Sequence, residues 1–191
     1  MRQKVLGLFM FLALVSATAV FAADTYVIDP NHTSFNFTVK HMMISNVPGG
    51  FDKFSGTITY SPTDLTNSKA DITIDVSSID TKIDKRDAHL KSPDFFDAAK
   101  FPAITFVSTK FTPGYITGNL TIKGVTKVVT IPVSIAGPVK TMMGTQAIGI
   151  TGSLTINRQD YGVNWNKTLD QGGVAVSDDV NIAISIEADQ K

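Results

Sequence analysis

Cysteine is absent from the 191 residues. That excludes disulfides, thiol nucleophiles and thiolate metal sites together, so stability must come from a packed core. Histidine is scarce: His32, His41 and His89 are the only side chains that ordinarily titrate near neutrality. No His-x-His or His-Glu-x-x-His pair occurs, and His32 and His41 stand at opposite ends of one alternating stretch with opposite parity. A zinc site needs three or four ligands in close array, so no metal is expected. Neither sign of charge dominates, with 17 Lys plus Arg against 17 Asp plus Glu, and long-range attraction for nucleic acid is excluded. Also missing are a Gly-x-Ser-x-Gly elbow, a phosphate-cradling glycine loop before a helix, and a carboxylate pair that stands out from surface charge. Neither a catalytic residue nor a cofactor is therefore expected.

Long hydrophobic runs are limited to one, at the start. Arg2 and Lys4 precede an apolar stretch from Val5 to Val15, and Val20-Phe21-Ala22 offers tolerated residues at a cleavage site. This layout is that of an export signal over residues 1–22. Its removal leaves 169 of the 191 residues, with 15 basic against 17 acidic side chains and a formal charge of −2. A chain of that size (23–191) suits one domain with a single core. A cysteine-free exported protein fits the periplasm, which is the expected location.

What the mature chain has in abundance is period-two alternation, the mark of half-buried strands. Phe35, Phe37 and Val39 share one parity, as do Phe54, Ile58 and Tyr60, then Ala70, Ile72, Ile74 and Val76. Ile116, Leu120 and Ile122 follow, then Val129 to Ile135, Ile148 to Ile156, and Val180 to Ile186. Around Ile104–Phe111 the parity blurs, although the β-branched and aromatic content still favours a strand. With Tyr26-Val27-Ile28 this makes eight or nine strands. Val47-Pro48-Gly49-Gly50, Ser61-Pro62-Thr63-Asp64, Thr112-Pro113-Gly114 and Lys123-Gly124 read as the breaks between them. One-sided strands in this number close their apolar faces as a sandwich or barrel. An eight-stranded barrel either fills with side chains or holds one slender ligand.

A single stretch, Asp84 to Phe96, reads as helical, with Pro93 placed to stop it. Phe95-Phe96 and Phe101-Pro102 are unusual for a charged connector. They either plug one barrel end as core or form a lid over a cavity mouth. His89, among Arg86, Asp87, Lys91 and Asp94, is either a surface histidine or part of a polar site.

Several segments together resemble the YceI-like family. Asp29-Pro30-Asn31-His32-Thr33-Ser34 with Phe37, Val39 and His41 is similar to its opening signature, and Gly50 to Gly56 to the segment that follows. Arg86-Asp87-Ala88-His89-Leu90-Lys91-Ser92-Pro93-Asp94-Phe95-Phe96-Asp97 is the most specific match. Gly118 to Thr126 and Arg158 to Val163 complete the series, in family order. Ser177 departs from it, standing where the family often has glycine.

The resemblance implies an all-β, extended antiparallel eight-stranded lipocalin-like barrel with one short helical connector. It also implies a non-catalytic role: binding a long isoprenoid-type lipid, quinone-like or prenyl-phosphate, in an apolar tunnel. By parity the tunnel candidates are Phe35, Phe37, Val39, Phe54, Ile58, Ile72, Ile74, Ile150, Leu154, Ile182 and Ile184. Phe95 and Phe96 are the lid candidates, and Arg86, His89 and Lys91 are placed to meet a polar head group. The partner expected is a small lipid, with transient contact to a membrane or lipid enzyme and a homodimer left open. An enzyme acting on an amphiphilic substrate, or a filled-core interaction protein, are the alternatives.

Overall fold

The alternating segments become eleven strands in the computed structural model, which describes residues 23–170 and 172–191. In chain order these are β1 (Asp24–Ile28), β2 (Ser34–His41), β3 (Ser45–Phe51), β4 (Phe54–Tyr60), β5 (Lys69–Asp75) and β6 (Ile79–Asp80). A helix, α1 (Asp84–Lys91), follows. Then come β7 (Ala103–Thr112), β8 (Tyr115–Ile122), β9 (Val125–Lys140), β10 (Gln146–Asn157) and β11 (Val176–Gln190).

The architecture is a closed eight-stranded antiparallel barrel in the order β1-β4-β5-β7-β8-β9-β10-β11, with β11 returning to β1. Closure leaves these strands without a free edge. β11 has 15 residues, roughly 50 Å at about 3.3 Å per residue, and so carries two partners end to end. Ala188, Asp189 and Gln190 pair with β1, whereas Val176 and Val180 to Ser185 pair with β2. β2 then pairs with β3, and β3 with the two residues of β6. The barrel thus has two ends of different construction. The end at β1 is its floor, and the end at the β2–β3 hairpin is its mouth.

Parity places the apolar side chains as expected. Along the β10–β11 ladder, Ile148 faces Ala188, Ile150 faces Ile186 and Leu154 faces Ile182, all on one surface. The blurred parity of β7 has a cause: a bulge between Ser108 and Lys110. One extra residue shifts the inward set from Ile104 and Phe106 to Phe111.

Two expectations need correction. The helix stops at Lys91 rather than running to Phe96. Ser92 is extended (φ −72°, ψ 168°), because a residue before proline is pushed out of the helical region. Residues 92–101 form linked turns instead, with Phe96 N–H donating to Leu90 and Phe101 N–H to Asp97. Pro48-Gly49-Gly50 is strand, inside β3, and not a break. Beyond β2, β3 pairs only at Gly50 and Phe51, so Pro48 faces an open edge where its missing N–H costs nothing. Gly49 is required there: a Cβ would lie 2.4 Å from the Phe37 ring and 2.8 Å from Thr81 Cγ2. β3 and β6 are the strands that alternation did not reveal.

Candidate functional site

The upper part of the barrel encloses a cavity of about 430 Å³, within the range of roughly 300–1,000 Å³ usual for small-molecule sites. Of the tunnel candidates, Phe35, Phe37, Val39, Ile58, Ile72, Ile74, Ile150, Leu154, Ile182 and Ile184 line it. Phe54 does not. It starts β4 opposite Ile74, on the inward face, and its ring packs edge-on at 5.0 Å against Phe35, which stands in the wall. Both lid candidates, Phe95 and Phe96, line the cavity, as do Arg86 and His89. Lys91 does not: it ends α1, and its charge acts on Asp75 and Asp80 instead.

The floor is solid. Tyr26, Tyr60, Phe111 and Ile148 are buried there without lining the cavity. The opening lies at the other end, where the lining residues Val39, Val47 and Val176 are half-buried and His41 is exposed. Non-hydrocarbon lining side chains are confined to this end. Asn36 and His41 come from β2, Thr81, Arg86 and His89 from the connector, and Arg158, Tyr161 and Trp165 from the stretch after β10.

An aromatic belt spans the mouth. Phe37 and Phe51 are 5.9 Å apart and Phe51 meets Phe96 edge-on at 6.2 Å. Across the opening, His89, Phe95 and Trp165 form a triangle with centroid separations of 5.0–5.1 Å. The connector beneath them is held by hydrogen bonds. Buried Asp87 accepts from the Thr81 backbone N–H at 2.9 Å and from its hydroxyl at 2.5 Å. Arg86 donates from Nε to Thr81 Oγ1 and from an η nitrogen to the Thr81 carbonyl, both at 2.6 Å. His89 Nε2 pairs with Asp94 at 2.9 Å. Arg86 therefore keeps only part of its donor set for a ligand.

Arg158 is the residue that sequence reasoning missed most completely. It is 5% exposed. Its guanidinium donates to the carbonyls of Val163, Trp165 and Ser177 and to the Asp178 carboxylate. Burial lowers its pKa below the ordinary arginine value, with Asp178 pulling the other way. The side chain fastens the 163–178 segment across the barrel end and so positions Trp165, the chain's one tryptophan. Arg158 and Tyr161 fall in a segment without alternation, and no local signal marked them as inward-facing.

Outside the cavity, Asp29, His32 and Glu187 form a group, found among the described residues, whose potential ligand atoms lie within 4.8 Å of one another. They sit where the chain passes from β1 to β2. Asp29 Oδ2 pairs with His32 Nδ1 at 2.5 Å, and Thr33 bonds the backbone of Glu187 in both directions. Asp29 titrates below its usual value, first because the Asn31 N–H donates to it and then because His32 does. His32 titrates above its usual value because of that same hydrogen bond to Asp29. This group splices the floor strand to the mouth strand.

A closed antiparallel barrel with an apolar cavity and polar groups only at its mouth is the architecture of small-ligand-binding β-barrels. The chain belongs to the YceI-like domain family, whose model matches residues 26–188. It is 43% identical over 163 residues to a UPF0312 protein of Staphylococcus aureus (strain bovine RF122 / ET3-1), covering 85% of this chain and 95% of that one. The crystal structure of Burkholderia cenocepacia BcnA superposes with a TM-score of 0.74 at 29% identity, covering 84% of this chain and 98% of that one. A polyisoprenoid binding domain from Saccharophagus degradans, implicated in plant cell wall breakdown, gives a TM-score of 0.65 at 17% identity, covering 87% and 98%. At that identity the likeness concerns the fold.

Proposed function

We propose that the protein is a non-catalytic carrier that holds a long isoprenoid-type lipid, quinone-like or prenyl-phosphate, in the barrel and releases it unchanged. The observation that carries this reading is the cavity of about 430 Å³, aliphatic and aromatic throughout except at its mouth. Burying apolar surface is worth on the order of 25 cal/mol per Å², so a hydrocarbon tail binds there by burial alone. A polar head group would then rest among Arg86, His89 and Thr81, at the hydrated end. The polyisoprenoid-binding neighbour of the same fold supports a chain-like ligand.

Export to the periplasm belongs to the same proposal and rests on the sequence pattern of residues 1–22, which lie outside the described residues. A lipid with negligible aqueous solubility needs such a carrier to leave a membrane at all.

Native mass spectrometry on protein released by osmotic shock, followed by solvent extraction, tests the reading. One long-chain lipid per protein, recovered intact, is the expected result. An apo mass that persists after incubation with polyprenyl lipids would overturn it, and a chemically altered lipid would point to an enzyme.

A further inference from the structure

Two hairpin tips expose apolar side chains. At the mouth, the β2–β3 tip presents Met42, Met43 and Ile44, which are 42%, 50% and 84% exposed. At the floor, the β9–β10 tip presents Met142 and Met143. The two differ in backbone. In the floor tip the positive φ falls on Gly144 (91°), which accepts it freely. In the mouth tip both methionines hold left-handed angles, φ 51° and 62°. A tight turn with two such residues ordinarily takes Asn-Gly, and left-handed backbone is unfavourable for a side chain of this kind. Strained conformations of this sort persist where the surrounding structure imposes them and cluster at functional sites.

The surroundings do impose it. Met42 N–H donates to the Ala175 carbonyl at 2.9 Å and Ile44 N–H to the His41 carbonyl at 3.1 Å. The first bond ties the tip to the residue before β11, the neighbouring strand, where Val176 pairs with His41, and the second closes the turn itself. Val39, His41 and Val47, immediately before and after the tip, line the cavity. From Asn31 to Phe51 the chain carries Lys40 and two histidines but no carboxylate. On the 163–178 segment, Lys167 stands with Asp170 and with Asp178, which pairs with Arg158.

We propose that Met42-Met43-Ile44 is a membrane-docking tip, which inserts into the surface of a lipid bilayer and holds the cavity mouth against it. The inference rests on the lipid-carrier reading, since it supplies the route by which a bilayer-dissolved ligand reaches the cavity without crossing water. Apolar side chains at an interface bind by buried area, and a tip flanked by Lys40 and His41, with no carboxylate from Asn31 to Phe51, suits an anionic bilayer.

The test is sedimentation of the mature protein with vesicles of phosphatidylethanolamine and phosphatidylglycerol. A Met42→Asn/Met43→Gly/Ile44→Ser variant removes the apolar tip while giving the turn residues that favour its backbone, so folding is retained. A Met142→Ser/Met143→Ser variant is the control. The mouth variant is expected to lose vesicle affinity about tenfold or more, as burial of three apolar side chains predicts, and the floor variant less than about twofold. Equal sedimentation of all three proteins, or equal loss in both variants, overturns the inference. So does a wild-type protein that stays in the supernatant, as a monomer or as a dimer that the mouth substitutions dissociate. Quenching of Trp165 by a short-chain quinone in solution separates this from the carrier reading. Docking without quenching would contradict the carrier, and quenching with unimpaired uptake from vesicles by the mouth variant would contradict docking.

Discussion

At the floor, Tyr26 from β1, Tyr60 from β4, Phe111 from β7 and Ile148 from β10 meet inside the ring, and each is at most 9% exposed. At the mouth, Val39, Leu154, Ile182 and Ile184 hold the same inward parity on the same kind of strand, yet they border empty space. The difference lies in strand partnership and in where the rings sit. At the floor, Tyr26, Tyr60 and Phe111 are packed into the buried core. At the mouth, Phe37, Phe51, Phe96, Phe95 and Trp165 form a belt that lines the cavity, and β11 exchanges β1 for β2, which brings the β2–β3–β6 flap into the wall. Alternation alone decides which face is inward. Whether opposing side chains meet decides between core and container.

The largest effect should separate these regions by stability. Ile148→Ala removes a packed floor side chain and is expected to cost about 2–5 kcal/mol, whereas Ile182→Ala, beside the cavity, should cost less than about 1 kcal/mol. Urea denaturation of the two variants compares them directly, and equal losses would mean the mouth is packed as tightly as the floor. Next, Arg158→Leu should cost about 3 kcal/mol, because it strands buried carbonyls that accept from a charged group. Its signature is a red shift of Trp165 emission as the 163–178 segment loosens, a change that Ile148→Ala should not produce.

A smaller effect runs the other way. The Tyr26 hydroxyl is buried and has no hydrogen-bond partner among the described residues, and burial raises its pKa above 10.0, with Asp24 and Tyr60 adding to it. Tyr26→Phe removes an unsatisfied group while keeping the ring, so stability should rise by about 1 kcal/mol. A clear loss in thermal unfolding would show that the hydroxyl has a partner after all.

The smallest effect belongs to the splice between the two regions. His32 titrates above 6.5 and Asp29 below 3.8. The His32 contribution to folding is present below 6.5 and is lost as pH rises through its folded value. The Asp29 contribution is present above 3.8 and is lost as pH falls through its folded value. Asp29→Asn should bring the His32 midpoint, followed by NMR, back toward 6.5, and an unmoved midpoint would rule out the pairing.

The strands were legible wherever alternation ran unbroken, as in β5, β10 and β11. β3 was hidden by Pro48-Gly49-Gly50, which looks like a turn until the open strand edge and the Phe37 ring are known. β6 has two residues, too few to show a period. In the site, inward parity identified the aliphatic walls, but it also picked Phe54, whose ring packs on Phe35 and does not line the cavity. Arg158, Tyr161 and Trp165 were out of reach because they sit in turns, where tertiary hydrogen bonds rather than periodicity set direction.

The central claim, that the mouth half is a container, is tested most directly by titrating a long-chain quinone against the fluorescence of Trp165. Saturable quenching at one quinone per protein is predicted for the wild type and for Ile148→Ala, with loss of quenching in a folded Ile182→Asn variant. Quenching that survives Ile182→Asn unchanged would place the ligand elsewhere and contradict the account.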